Sequence, residues 1–533
     1  MTPQTLGETG TRETRLSTSV CVVGAGIAGL IAATRLARDK NRRIVLVESG
    51  RKDVTPAISA LNEIDNLGDP YEGALTARFR GLGGTSLLWA GKLLPLSKHD
   101  TVPRPYLNLD GWPFSLAELE PYREELEQMM GVDPESHEED ISDRLDPHSL
   151  LPRNDEDFLV RWPKRPTPKN HNLAYVLRQE IETLDNLEIW LGSSVSHFKF
   201  DPVSGKVIEL TARNHEGQSL TVAADEFLIT AGTLESTRLL LLADQQSNFS
   251  ISRQSDALGR YFNDHLGLDV ATLRPIDQTR TNLGLSDRST FSSLRHLHFE
   301  LRPGVQEAQG IGSAYFDIGC EQSEHSALTK CAKAIQGLKQ RRWNLNFQDA
   351  RALVLDFPSL LRTAQWQYLR KQKYWPPDAK LQIKIWVEQL PSWHNRISLS
   401  EKLDGLQIPQ LKLEWKKTES DEKTFQVMIK KIAGFWERSF AQTCRLEWRA
   451  DLSRPDFRAI DPAFDLAHPA GSTRMGSNPS DSVVDPFLRV HQIPNLSVAS
   501  ASVFPTSGSA NPTFTIMQLA MRTADAIAAR LNH

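Results

Sequence analysis

Apolar positions along this chain follow two rhythms, and the change between them divides it. Near the start, "SVCVVGAGIAGLIAATRLARDKNRRIVLVESG" gives an unbroken apolar run at Val20–Val23, helical spacing to about Asp39, and a second run at Ile44–Val47. Short continuous runs bounded by glycine read as strands buried on both faces. "NLEIWLGSSVSHFKFD" (186–201) and residues 205–244 continue with strands, ending in a strand–turn–helix at "FLITAGTLESTRLLLL". Between 266 and 454 the rhythm becomes period two. Candidate strands are Leu268–Arg274, His296–Arg302, Ser313–Ile318, Leu381–Gln389, Arg396–Leu399 and Gln410–Trp415, which predicts a second unit built on a largely antiparallel sheet. From Ser507 small residues lead to Asn511-Pro512 and then to helical spacing through Leu531. Asn is a favoured N-cap and Pro suits the first helical position, so Asn511 is expected to cap this last helix. The polar opening residues, about 17 of them, read as a disordered leader.

Composition narrows the class. At 533 residues the length prior allows about two to four domains. A hydrophobic content of 40%, a charged content of 24% and a net charge of −4 describe an ordinary globular chain with no polyanion signal, so nucleic acid is not the expected partner. Four scattered cysteines (Cys21, Cys320, Cys331, Cys444) fit neither a disulfide framework nor a zinc site and suit a reducing compartment. The opening stretch lacks the apolar centre of a secretory signal, and no stretch of roughly 18 apolar residues offers a membrane span. The cytoplasm is the expected compartment, with export beside a partner subunit kept open. The stretch 326–373 holds ten Lys/Arg against two acids, with Trp343, Phe347, Phe357, Trp366 and Tyr368. It reads as a helical lid packed on its own unit, or as a membrane-surface or partner helix.

The first apolar run leads into chemistry. Gly24-x-Gly26-x-x-Gly29 follows a strand, opens a helix, and precedes an acid, Glu48, by 19 residues; that context marks a dinucleotide site. Gly24 permits the tight turn, Gly26 admits a pyrophosphate to the backbone, and Gly29 lets helix and strand pack. The helix N-terminus favours the phosphate charge, and Glu48 would hold a ribose hydroxyl. The motif alone leaves NAD and FAD open; a position so near the start leans to FAD. In "RGLGGTSLLWAGK" (80–92) Gly81, Gly83 and Gly84 free backbone amides to approach a bound group, and Trp89 offers a flat wall. His296 and His298 share a face of a predicted strand, but no third ligand lies near, so a satisfied pair is expected and no metal.

Together, "GLGGTSLLWAG", "GTLESTRLL", "LGRYFNDH", "HPAGSTRMG" and "NPTFTIMQLAMRTAD" follow the N-terminal fingerprint in an order that resembles the glucose–methanol–choline (GMC) family of FAD-dependent oxidoreductases. The motifs look most like the branch of pyranose oxidase and bacterial sugar and polyol dehydrogenases. The resemblance implies an α/β plus α+β fold: a Rossmann-type FAD-binding domain (18–100, 170–265 and 455–533) and a substrate domain (101–169 and 266–454). The latter carries the antiparallel sheet of about six strands and the helical insertion 326–376. It implies oxidation of a CH–OH group, with hydride transfer to flavin N5. His468 of "HPAGSTRMG" matches the catalytic histidine, and Asn511 matches the second member of that pair. Implied cofactor contacts are Gly24, Ala25, Gly26, Ile27, Ala28, Gly29, Glu48 and Ser49 at the first turn, and Gly83, Gly84, Thr85, Leu88, Trp89 and Ala90 at the second glycine loop. Further along they are Val195 at the adenine, Ala231 and Gly232, Ser500 and Ala501 at the ribityl chain, and Asn511, Pro512 and Thr513. Ser500 stands where some relatives carry Asp. Leu88 stands where pyranose oxidase tethers its flavin through histidine, so the FAD is expected to be non-covalent.

A neutral histidine serves as a base near pH 7, whereas an asparagine takes up no proton. His468 is therefore the expected base, and Asn511 the group that orients the substrate oxygen. A sugar or glycoside is the expected substrate, with a non-sugar alcohol or flavin-assisted lyase or decarboxylase chemistry as alternatives. A flavin-binding electron-transfer subunit is a different reading, disfavoured because it needs neither residue. Oxygen, a quinone or a separate redox protein is the expected acceptor.

Overall fold

The computed structural model describes residues 3–8, 11–53, 55–146, 150–290, 293–322, 357–454 and 456–532. The expected insertion at 326–376 therefore lies mostly outside the described residues; its end forms the helix Phe357–Gln365.

The strand Glu13–Val23 lies at the centre of the first sheet. It pairs in parallel with Ile44–Val47 on one side and Ser219–Ile229 on the other. Leu187–Leu191 extends the parallel side beyond Ile44–Val47, and Val207–Arg213 and Ser194–Phe200 add an antiparallel flap. All four residues of Ile44–Val47 are buried, as expected of a parallel sheet covered on both faces. The helix Ile27–Ala37 packs against the last helix, Thr513–Leu531, and Arg35 clamps the pair through Asp525 at 2.6 Å.

The opening residues differ from the expected leader. The central strand already begins at Glu13, and Gln4–Thr5 pairs in parallel with Leu187–Leu191. Leu6 is buried in the apolar core. A polar composition concealed one buried leucine and a backbone ladder that needs no apolar side chains.

The second sheet runs Cys444–Trp448, His265–Pro275, Lys380–Glu388, Ala314–Glu321, His298–Leu301 and Phe158–Arg161, all antiparallel. Period two sorts its side chains between two faces. Ile383, Ile385 and Val387 enter the apolar core together with Phe425, Met428, Ile432 and Phe435 of the helix Glu419–Ser439. The intervening Lys384 and Trp386 face the opposite way, into a cavity. That helix starts at a capping box, Thr418 with Asp421, which satisfies backbone donors its first turn would otherwise leave free.

Two of the six expected strands leave this sheet. Arg396–Leu403 and Pro409–Glu414 pair with each other, and the latter pairs in parallel with Ile64–Asn66. Alternation tells which face of a strand is buried, not which strand lies beside it. Their places in the large sheet go to Phe158–Arg161 and Cys444–Trp448. Among the described residues no helix is long and apolar enough to cross a membrane.

Candidate active site

Between the two sheets lies a cavity of about 750 Å³. At one end it is walled by the first glycine turn. Gly24 holds φ +106°, a left-handed value that side chains disfavour. A Cβ on Gly29 would fall 1.8 Å from the Gly24 carbonyl oxygen, so the helix meets the turn only because that atom is missing. A Cβ on Gly26 would instead enter the cavity, meeting only the Gly84 Cα, at 4.0 Å. The turn thus offers bare backbone where a pyrophosphate fits. Glu48 braces it: one carboxylate oxygen accepts from Ala25 N at 2.8 Å and the other from Gly50 N at 2.7 Å. Burial pushes its pKa up, against the pull of these backbone donors.

Of the expected cofactor contacts, Gly24, Gly26, Ile27, Ala28, Glu48, Ser49, Gly84, Thr85, Leu88, Trp89, Ala90 and Val195 line the cavity. So do Ala231, Gly232, Ser500, Ala501, Asn511, Pro512 and Thr513. Ala25, Gly29 and Gly83 do not; they hold the turns that the others present, Gly83 N bonding back to Ala25 O at 2.9 Å. The Trp89 indole is fixed by Nε1 donating to His171 O at 2.8 Å. Ser500 uses its hydroxyl locally, accepting from Ser502 N at 3.2 Å. An extended groove of backbone and small side chains fits a dinucleotide, and its shape matches the donor set.

His468 and Asn511 come together on the cavity wall, Nδ2 of Asn511 lying 3.1 Å from Nε2 of His468. This corrects the expected cap. The helix begins at Thr513 after Pro512, with no side-chain capping bond. The Asn511 amide turns to His468 instead, leaving its buried Oδ1 without a partner. Proline at the cap position sets the backbone angle by itself, which frees the amide.

A further histidine fixes how His468 is protonated. Nε2 of His265 lies 2.7 Å from Gly508 O, a carbonyl that only accepts, so this nitrogen carries the proton. Neutral His265 then presents a bare Nδ1, which lies 3.0 Å from Nδ1 of His468. His468 must donate there, and its Nε2 keeps a lone pair that meets the Asn511 amide. Burial, and then the nearby His265 and Lys92, hold the His468 pKa well below the usual histidine value. The backbone is pinned too, His468 N donating to Asp264 at 2.9 Å. Burial raises the pKa of Asp264 to about 8, and Tyr71 OH donates to it at 2.5 Å. Asp264 and His265 close the motif "LGRYFNDH", which was the available signal; their adjacency to a histidine 203 positions away was not.

His296 and His298 behave as a satisfied pair would only in part. His296 lies just before the strand His298–Leu301, so the two do not share a strand face as expected. His296 meets Asp287 at 2.6 Å and Asp317 at 3.3 Å, while His298 stacks on Tyr315 and meets Glu300 at 3.4 Å. Among the described residues no cluster that could hold a metal occurs.

A dinucleotide groove meeting a neutral histidine above an antiparallel sheet suits a cofactor-dependent oxidoreductase. Residues 391–520 match the GMC oxidoreductase family and residues 22–52 a NAD(P)-binding Rossmann-like domain. The chain is 23% identical to 6'''-hydroxyparomomycin C oxidase of Streptomyces lividus, over 96% of this chain and 91% of that one. It is 24% identical to the fructose dehydrogenase large subunit of Gluconobacter japonicus, over 96% and 98%. Among solved structures, formate oxidase of Aspergillus oryzae superposes with a TM-score of 0.61 at 18% identity, covering 98% of this chain and 99% of that one. The chain thus carries a GMC oxidoreductase domain at 391–520 and is an oxidoreductase enzyme, and that family implies FAD as cofactor and a CH–OH group as donor.

Proposed function

We propose that the protein oxidises a primary or secondary hydroxyl of a sugar or glycoside, with His468 as base and Asn511 as positioning group. The observation that carries this is the bare Nε2 of His468 facing the Asn511 amide at the cavity wall. FAD, when bound, supplies the hydride acceptor. A substrate hydroxyl enters between the two side chains, its proton passing to Nε2 while its oxygen accepts from Asn511 Nδ2. His265 keeps the other imidazole nitrogen engaged, so the ring stays aimed through the proton transfer.

Support for a sugar comes from the sheet side, where Tyr315 and Trp386 lie parallel at 5.9 Å among the polar Lys92, His296 and Asp317. Such a wall suits a ring with one apolar face and several hydroxyls. Similarity to a fructose dehydrogenase points the same way. The FAD is non-covalent in this reading, because Leu88 offers no nucleophile in the glycine loop. Acid precipitation that leaves flavin in the protein pellet would overturn that part. The acceptor is oxygen, a quinone or a separate redox protein, and the site of action is the cytoplasm, in keeping with the unpaired Cys21, Cys320 and Cys444 among the described residues; cell fractionation tests the latter.

The experiment is anaerobic mixing with a panel of sugars and glycosides, following flavin bleaching, then readmission of air. His468→Ala should keep bound FAD and lose bleaching by several decades. A near-normal bleaching rate in that variant would refute the assignment.

A further inference from the structure

One charged group in the cavity makes no side-chain ion pair or hydrogen bond among the described residues. The sheet-side wall contains Lys92, Arg165, Asp287, His296, Asp317 and Lys373. Asp317 is held by Lys92 at 2.9 Å and by His296 at 3.3 Å. Asp287 is held by the other nitrogen of His296 at 2.6 Å and by Lys373 at 3.8 Å. Both carboxylates are thereby answered. The Arg165 side chain is not: Asp287 feels its charge at a distance, but among the described residues no ion pair or hydrogen bond engages the guanidinium, and its buried Nε lacks an acceptor.

The fold explains why Arg165 points there. It follows Lys164 in a two-residue strand paired through Leu294 and Arg295, and successive strand residues face opposite ways. Lys164 turns into the protein, onto Glu127 and the Asp133 carbonyl, which sends Arg165 to the cavity. Burial works against charge on His296, yet its carboxylate neighbours outweigh this and raise its pKa. With His296 charged, Lys92, Arg165, His296 and Lys373 face two carboxylates, and Lys384 on the same wall is paired outside it with Asp269 at 3.5 Å. An unanswered guanidinium beside that surplus is stabilised by a ligand bringing a pair of anionic oxygens, since its fork matches carboxylate and phosphate.

Resting on the hydroxyl oxidation proposed above, we infer that the cavity takes an anionic alcohol, whose skeleton carries a carboxylate or a phosphate that docks on Arg165. The reactive hydroxyl lies at His468, and the anionic group at the far side of the paired Asp317–His296–Asp287 array. Tyr315 and Trp386 support the carbon skeleton between them. The same charge surplus works against an amino sugar.

The test uses the FAD-loaded protein without air, titrated with glucose, glucuronate, glucose 6-phosphate, glucosamine and inorganic phosphate. Binding is read from the flavin absorbance change, and oxidation from bleaching. Glucuronate or glucose 6-phosphate should bind about tenfold or more tightly than glucose. The preference should weaken as salt rises, and glucosamine should bind weakest. Inorganic phosphate should compete with the anionic sugar. Arg165→Gln should erase the preference, and Arg165→Lys should restore part of it. The stronger of the two anions identifies the group. Equal binding of glucose and both anions, tighter binding of glucosamine, or a preference that survives Arg165→Gln overturns the inference. The two readings fail separately. Bleaching by glucose with no anion preference removes only the anion site, whereas Arg165-dependent anion binding with no bleaching by any alcohol removes only the oxidation.

Discussion

Replacing His265 by leucine tests the protonation pattern of the site. The side chain accepts from Nδ1 of His468 at 3.0 Å and donates to Gly508 O at 2.7 Å. Leucine removes both partners, leaving Nδ1–H of His468 buried and unanswered at a cost of about 1–3 kcal/mol. His468 escapes by moving its proton to Nε2, where it points at the Asn511 amide and no longer serves as a base. If that cost falls on the reactive form, each 1.36 kcal/mol is a factor of ten, so flavin bleaching should slow roughly ten- to a hundredfold. Anaerobic stopped-flow with a saturating alcohol measures the rate, and the flavin spectrum confirms that cofactor is still bound. His265→Asn, which keeps an acceptor near the Nδ1 position, should recover part of the loss. Nitrogen-15 chemical shifts of His468 supply a reading independent of turnover: the wild-type ring should be protonated at Nδ1, and the leucine variant at Nε2. A leucine variant that bleaches at the wild-type rate, or a wild-type His468 protonated at Nε2, would refute the reasoning.

Other consequences follow from the same geometry. The His468 pKa is held below 6.5, so the base stays neutral as pH falls through the usual histidine range. The acid limb of the bleaching rate should therefore lie below pH 6.5; a limb at or above it would contradict the assignment. The unfolded chain takes up this proton first, so His468 adds stability above its unfolded pKa that is lost toward its folded one. Gly29→Ala drives a Cβ to 1.8 Å from Gly24 O and should yield little folded protein, whereas Gly26→Ala should fold and bind FAD much more weakly, as equilibrium dialysis would show. Arg104 grips both oxygens of Glu388 at 2.7 and 2.9 Å, and both side chains are buried. Arg104→Met strands that carboxylate and should cost about 3–5 kcal/mol in denaturant unfolding. Glu388 also accepts from Gly508 N at 2.9 Å, so the same variant should disturb the loop under His265 and slow bleaching.

Legibility differs with the range of each interaction. The turn at Gly24–Gly29 and the acid at Glu48 could be read directly, since each requirement there is met within a short stretch of chain. The burial rhythm of Lys380–Glu388 was also readable, and the structure splits its residues between core and cavity as period two requires. Sheet membership was not readable for Arg396–Leu403 and Pro409–Glu414, because backbone ladders do not depend on which side chains flank them. Polar composition likewise hid the pairing of Gln4–Thr5 and the burial of Leu6.

The sequence by itself determined the dinucleotide turn and the family motifs, whose resemblance implied a pair of His468 with Asn511, because small motifs record local geometry and an inherited order. Only the tertiary structure decided what those residues do to one another. It placed His265 against His468 across 203 positions, turned the Asn511 amide from the helix end to an imidazole, and left the Arg165 guanidinium facing a cavity with no ion-pair partner among the described residues. Hydrogen bonds and ion pairs form between whatever atoms the packed sheets bring within about 3 Å, and that proximity has no signature along the chain.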